Sequence, residues 1–437
     1  MSGCMPLAPL PTGWAWVIVC RLSGIAVTGE RLPFHDRGKV LVQSMLMLAG
    51  GGESCADIEA LRAQESLFGE VPSDSTVYRT LRRIDPATLA GLWEATAEVR
   101  AQVWRRAAAT TGTGPVVLDI DSTLVDIHSE NKAGTAPNYK GGFGFHPMLC
   151  FADATGETLA GLQRPGNAGA NTIADHLVVL DAALAQLPAE IAVGHRPGDD
   201  PELVRRVVVV RADSAGCTDG FVWGCRARNI GFAVVARSNA QVHAAISKIA
   251  GDEDRWSPAV GQDGDQRRGA AVAEITDLVE LSGWPPGTRL IVRREPLHPG
   301  AQQSLFPSLE YRYWGHYTDQ AGGPVTRDVF MRAHAHVENN IGRLKDSGLE
   351  RFPFTDWDAN CAWLALVCFA DALIRWFQLL CLTGPLAAAE PKRLRWQLWH
   401  TPARLVRRAR RHVVRILDGW PTATELLAAY RSVELLC

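Results

Sequence analysis

The sequence predicts a mixed α/β protein. A sheet built from strands that alternate with helices is preceded by a helical N-terminal region and interrupted by a β-rich insertion. Three observations predict it. Between residues 116 and 236, short β-branched apolar runs alternate with stretches whose apolar residues recur at three and four. Two of those runs end in aspartate, at Asp121 and Asp213. A carboxylate there leaves the sheet edge toward solvent or a cation, where ligands of open α/β sheets gather. From 240 to 327 the alternation stops, and acid–base clusters with short β-like runs replace it.

In chain order, residues 1–110 read as mostly helical. Residues 54–64 and 76–84 are short helical patterns joined by a stretch containing Gly69 and Pro72, and Ser73, Asp74 and Ser75 offer caps for the second. Arg79, Arg82 and Arg83 fall on that second helix. This is the pattern of a DNA-binding helix-turn-helix, and equally of a capped surface helix with solvated arginines.

Residues 111–239, where Pro115 precedes the first strand, read as the first part of a mixed α/β core. It holds a strand at 116–121, a Gly/Asn-rich loop, strands at 145–151 and 157–163, and a helix carrying Ile173, Leu177, Leu180, Leu184 and Leu187. A strand at 207–211, a short helix at 216–228 and a strand at 231–236 follow. The insertion, 240–327, has Trp256, Trp284 before Pro285-Pro286-Gly287, and β-like runs at 289–293 and 309–317.

Residues 328–385 complete the core, beginning with a helix-like stretch at 330–345. Phe330, Val337, Ile341 and Leu344 make its apolar stripe. Glu338 and Lys345 share another face, about 20° out of register and roughly 10 Å apart along the axis, with His334 one turn before Glu338. The apolar segment 362–382 carries Asp371 and Arg375 four apart, where they can pair, which favours a buried helix over a membrane span.

Residues 386–437 form a basic C-terminal region. Its 391–417 stretch has nine Lys/Arg and no Asp or Glu. Arg407, Arg408 and Arg411, with Trp396 and Trp399 interleaved nearby, make it a candidate phosphate-contacting surface; a solvated strand face has the same composition.

Composition narrows the classes. A chain of 437 residues with 47% hydrophobic and 21% charged content is globular, with room for two or three structural units. The net charge of −2 means that any DNA-binding surface must be local. Ten cysteines occur without a CxxC pair or zinc spacing, as expected for reduced thiols in the cytoplasm. No basic residue precedes the apolar run at 14–20, so no signal peptide is expected, and no Gly/Lys spacing fits a phosphate-binding loop.

The chemistry-bearing residues are therefore Asp121, Asp213 and Glu338. Phosphodiester cleavage needs an activated water and a stabilised leaving oxygen, which two divalent ions about 4 Å apart can supply. Mg²⁺ takes oxygen ligands and keeps several waters, so a few carboxylates suffice. Asp119 competes with Asp121. Asp121 is chosen because it is nearer the strand end and begins Asp-Ser-Thr. Asp126, His128, Glu130, Asp153 and Asp219 read better as loop or polar-face residues.

At these residues the chain resembles bacterial insertion-sequence transposases of the DDE type, in particular the cut-and-paste branch with a β-rich insertion and, within it, the thirteen-eighty group. The matching text is Leu118-Asp-Ile-Asp-Ser-Thr-Leu-Val-Asp-Ile-His128, Arg164-Pro-Gly-Asn-Ala168, Val210-Arg-Ala-Asp-Ser214, Val337-Glu-Asn-Asn-Ile341 with Lys345, Gly348-Leu-Glu-Arg-Phe-Pro353 and Asn360-Cys-Ala-Trp-Leu364. The similarity runs from about residue 30 to about 430.

The resemblance implies a ribonuclease H-like core and a site for two ions, Mg²⁺ or Mn²⁺, with Asp121, Asp213 and Glu338 as catalytic and metal-holding acids. Binding to terminal inverted repeats, hydrolytic nicking, strand transfer into target DNA and a homodimeric synapse are implied with them. So is a cytoplasmic protein that meets the nucleoid through DNA, with no membrane partner. In that superfamily the glutamate helix often reads Tyr-x-x-Arg-x-x-x-Glu-x-x-x-x-x-x-Lys. Here Glu338 and Lys345 match, while Met331 and His334 stand at the Tyr and Arg positions. Trp284 and Trp314 are candidates for the base-gripping Trp of some relatives. Two other classes fit part of the text: a helix-turn-helix regulator without catalysis, and a metal-dependent nuclease that cuts without joining.

Overall fold

The apolar, β-branched run after Pro115 becomes β1 (Val116–Ser122), which is buried apart from the half-buried Val117 and the last two residues. That burial follows from its place mid-sheet, with a partner strand on each side. The computed structural model describes residues 4–6, 35–107, 112–297, 311–408, 411–417 and 419–436; for 4–6, 407, 408, 411, 412 and 436 it describes the backbone only.

Before β1 come α1 (Arg37–Ala49), a chain of short turns, α2 (Asp74–Leu81) and α3 (Pro86–Arg106). After it come β2 (Met148–Ala152), β3 (Thr158–Leu162), α4 (Ile173–Ala185), β4 (Val208–Ala212), α5 (Asp219–Arg226) and β5 (Gly231–Val235). β1 to β3 form an antiparallel meander, while β4 and β5 run parallel to β1 on its other side. The order β3-β2-β1-β4-β5 is that of a ribonuclease H-like sheet.

The inserted region does not fold away from this sheet. After α6 (Ala240–Ile249), strands β6 (Ser257–Val260), β7 (Gln266–Glu274), β8 (Arg289–Pro296) and β9 (Tyr311–Thr318) extend it, with β9 antiparallel to β5, to nine strands among the described residues. α6, β6 and β7 are absent from the sequence reading. β7 runs from exposed to buried without alternating, so its text shows no period of two.

The expected single helix over 330–345 is broken. The structure has α7 (Pro324–Arg332), a tight turn at Ala333–Ala335 and α8 (His336–Leu344), followed by a wide turn at Lys345–Leu349 where Gly348 has φ +104°. The break falls where the Phe330 carbonyl accepts a bond from Arg211 and His334 turns toward Asp119. α8 packs on β1.

α9 (Trp357–Cys381) is the apolar segment of the sequence. It is long and apolar enough to cross a membrane, yet 72% of its most apolar stretch is buried inside the fold. It packs against β3, α1 and α3, so the N-terminal helices cover it. Its expected pair attracts without a direct ion pair: the Arg375 charge acts on Asp371, but the cation in direct reach of Asp371 is Arg343 of α8, at 3.5 Å, and Arg375 donates to Asn340. Facing helices, rather than i,i+4 spacing, choose these partners. The described cysteines are free and mostly buried.

The chain ends in β10 (Ala403–Arg408), β11 (Arg411–Ile416) and α10 (Ala423–Leu436). β10 and β11 form a second sheet with the short strand Cys4–Pro6.

Candidate active site

β1 and β4 are neighbours in parallel register, with Val116 opposite Val208 and Ile120 opposite Ala212. Asp121 and Asp213, each one residue further along, therefore emerge side by side from the same edge of the sheet. Adjacent strands are about 4.8 Å apart, so the two carboxylates share one site. Local backbone fixes each of them. The Ser122 N–H donates to Asp121 Oδ1 at 2.7 Å, and the Ala215 N–H donates to Asp213 Oδ1 at 2.9 Å. Both side chains are half-buried.

Glu338 reaches the site on α8, in its first turn, and is exposed. The electrostatics show the convergence. Burial pushes the Asp121 carboxyl up to about 6, the charge of Asp213 adds to this, the Ser122 N–H and His334 oppose it, and Glu338 raises it further. These acids, far apart in sequence, thus act on one another.

Behind the acids lies a buried charge cluster. Arg211, 1% exposed, donates from Nε and Nη2 to both Asp119 oxygens at 2.8 and 2.7 Å, from Nη2 to Asp153 at 2.6 Å and from Nη1 to the Phe330 carbonyl at 2.8 Å. His334 Nδ1 is 2.7 Å from Asp119 Oδ1. Burial alone would raise the Asp119 carboxyl, but the bonds from His334 and Arg211 overcome it and hold it below the usual range.

This cluster has a regular relation to the site. Asp119 precedes Asp121 by two on β1, and Arg211 precedes Asp213 by two on β4. Residues two apart share a face of a strand. His334 precedes Glu338 by one helical turn. Each outward acid is backed one repeat earlier by a member of one cross-linked cluster, so β1, β4 and the glutamate-bearing segment are locked together. The sequence carried a signal for this, a charged residue two before each strand-end aspartate, but nothing in it says that the two charges face each other.

Asp119 is thus consumed by Arg211 and His334, and Asp121 is the aspartate left facing outward. His334, expected on a DNA-facing surface, is 7% exposed and turned inward, because Asp119 offers a buried proton a better acceptor than solvent. Asp153, which the sequence reading set aside, belongs to the cluster. Lys345 sits at the end of α8, 34% exposed and 3.9 Å from Glu350.

Arg79, Arg82 and Arg83 line a groove of about 700 Å³ together with Thr355, Asp356, Trp357 and Asp358. Arg82 is engaged there by Asp356 at 2.7 Å. Arg407, Arg408 and Arg411 lie on β10 and β11, and their side chains are outside the described residues. Trp284 stacks on Tyr317, with ring centres 4.2 Å apart, whereas Trp314 is 43% exposed beneath the Arg312 guanidinium.

The donor set is all carboxylate oxygen, which suits a hard divalent cation. The Asp121 carboxyl is raised first by burial and then by the charge of Asp213, and a bound cation offsets both. Among the described residues, no three His, Cys, Asp or Glu side chains close around a single point.

A family model described as transposase DDE domain group 1 matches residues 26–436. Among solved structures, the chain is similar to a piggyBac transposase seen by cryo-EM in a synaptic complex with hairpin DNA. The identity is 10% and the TM-score 0.42, over 90% of this chain and 82% of that one. No curated protein matches.

Proposed function

We propose, starting from a chain that belongs to the transposase DDE domain family, group 1, that it cuts DNA at the terminal inverted repeats of an insertion sequence and joins the freed ends to target DNA. The observation that carries the reading is the pairing of Asp121 and Asp213 at adjacent parallel strand ends, with Glu338 close enough to act on Asp121.

In this reading Asp121, Asp213 and Glu338 hold two divalent ions, Mg²⁺ or Mn²⁺. When bound, such ions activate the attacking oxygen and stabilise the leaving one. The protein's own part is positional. Ser122 and Ala215 N–H groups orient the aspartates, and the cluster around Arg211 keeps the strands and the Glu338 segment in register. In the first reaction a water oxygen attacks phosphorus and the 3′-oxygen leaves. In the second, that 3′-hydroxyl oxygen attacks phosphorus of a target phosphodiester, and the new P–O bond forms as the target's own 3′-oxygen leaves as a hydroxyl.

Lys345, the Arg79, Arg82 and Arg83 groove, and Arg407, Arg408 and Arg411 contact DNA phosphates. Residues 1–110 bind DNA, 111–239 and 328–385 form the catalytic core, 240–327 the insertion and 386–437 a basic extension. Two copies meet in the synapse, in the cytoplasm.

The test is cleavage of a duplex carrying the element's terminal repeats with Mg²⁺ or Mn²⁺. Asp121→Ala, Asp213→Ala and Glu338→Ala should each abolish nicking while leaving end binding nearly intact. Full cleavage by Asp213→Ala protein would overturn the assignment. Nicking without any joined product would favour a nuclease that does not transfer strands.

A further inference from the structure

We propose that the β10–β11 hairpin is a sequence-independent clamp on the DNA phosphate backbone, with Arg404 and Arg415 as its central pair. The inference rests on the DNA-acting reading above and names a contact surface for it. Antiparallel register sets Arg404 opposite Arg415, Arg407 opposite His412 and Arg408 opposite Arg411. Half of the hairpin's cross-strand pairs are therefore basic on basic. Like charges directly opposite one another destabilise a sheet. No acidic residue between 391 and 417 is available to neutralise them locally.

The register is not free to relieve this. Ile416 is buried against Tyr430 of α10, with Val414, Trp420, Leu426 and Leu427 packed around the pair. A slip by one residue would turn that apolar face outward, so the packing that anchors the hairpin enforces the basic pairs. Among the described side chains, Lys392, Arg393 and Arg395, earlier in the run, have protein partners. Arg395 is buried, donating to the carbonyls of Ala49 and Asp346 and to Ser347, and Lys392 pairs with Asp346 at 2.6 Å. Arg404 and Arg415 are exposed, and no ion pair within the described residues engages them.

Cβ atoms of a directly opposed pair stand about 5 Å apart, so one phosphate can accept from both guanidinium groups. Duplex DNA, with one charge per roughly 1.7 Å of axis, is the polyanion the proposed reaction supplies. Contacts to phosphate carry no base information, hence the expected indifference to sequence.

The experiment compares full-length wild-type protein with Arg404→Gln/Arg415→Gln and Arg404→Lys/Arg415→Lys double variants. Thermal stability is measured first, then affinity for two unrelated duplexes over a salt series, with poly-glutamate as a competing probe. The glutamine variant should be at least as stable as wild type, since repulsion is removed. The slope of log affinity against log salt should fall by about 0.9, the share of the one phosphate the pair holds, equally on both duplexes. The lysine variant should keep the slope.

A less stable glutamine variant would mark the pair as structural and overturn the proposal. So would an unchanged salt slope, a loss confined to one duplex, or lost poly-glutamate binding with DNA binding intact, which would assign the surface to an acidic protein. Wild-type protein that binds no DNA would instead overturn the transposase reading on which the clamp depends.

Discussion

Arg211→Met removes the hub of the buried cluster while roughly keeping its volume. Four hydrogen bonds vanish: two to Asp119, at 2.8 and 2.7 Å, one to Asp153 at 2.6 Å and one to the Phe330 carbonyl at 2.8 Å. Asp119, 1% exposed, is then left with His334 as its partner in that cluster. Removing one member of a buried ion pair costs about 3–5 kcal/mol, mainly because the remaining charge stays buried. Against a total stability of about 5–15 kcal/mol this is a large fraction, so urea denaturation should show a clear fall in midpoint.

The double variant Arg211→Met/Asp119→Asn removes both charges and should recover about 2 kcal/mol or more of that loss. It should still cleave poorly, because β1, β4 and the Glu338 segment are no longer tied together. A cost under about 1 kcal/mol for Arg211→Met, or a double variant less stable than the single one, would show that Arg211 is not the hub of the cluster.

Other expectations follow from the same geometry. Asp121 titrates higher in the folded chain than its ordinary 3.8, at about 6, so the native state binds the proton more tightly. Stability should fall as pH rises from about 4 through 6 and then level off; the penalty at neutral pH is about 2 kcal/mol after allowing for solvent at the site. Asp121→Asn should therefore stabilise the metal-free protein at pH 7.5 and flatten that decline in urea melts, and a destabilised variant would contradict the strain. Lys345→Ala should reduce the salt slope of DNA binding by about 0.9, the share of one phosphate, and an unchanged slope would count against its contact. Gly144→Ala drives a methyl into the Val125 carbonyl and the Ile127 N–H, where residues 143–145 pair antiparallel with 125–126, and should cost about 2–3 kcal/mol in a thermal melt; a cost near zero would mean this pairing shifts freely.

Much of the core was legible in the chain because its signals are local. The runs around Val116 and Val208 are strands on β-branched content alone, and their final aspartates had to leave the sheet edge. The helix carrying Leu177, Leu180 and Leu184 follows from spacing. Other features were hidden because they depend on partners. Position near the strand end favours Asp121 over Asp119, but only the opposing strand, which places Arg211 against Asp119, supplies the physical reason. His334 shared a helical face with Glu338 in isolation, but its partner lies on β1. Residues 240–327 read as a separate β-rich stretch, and edge pairing to β5 made its strands part of the same sheet.

The order of residues by itself determined which segments extend, which coil, and that acids close two buried strands, since backbone preference and apolar period act over a few residues. The packed chain alone decided which aspartate faces outward, which histidine turns in, and which arginines stand opposed. Those outcomes are set by register between distant segments, and register is fixed by burying apolar faces together.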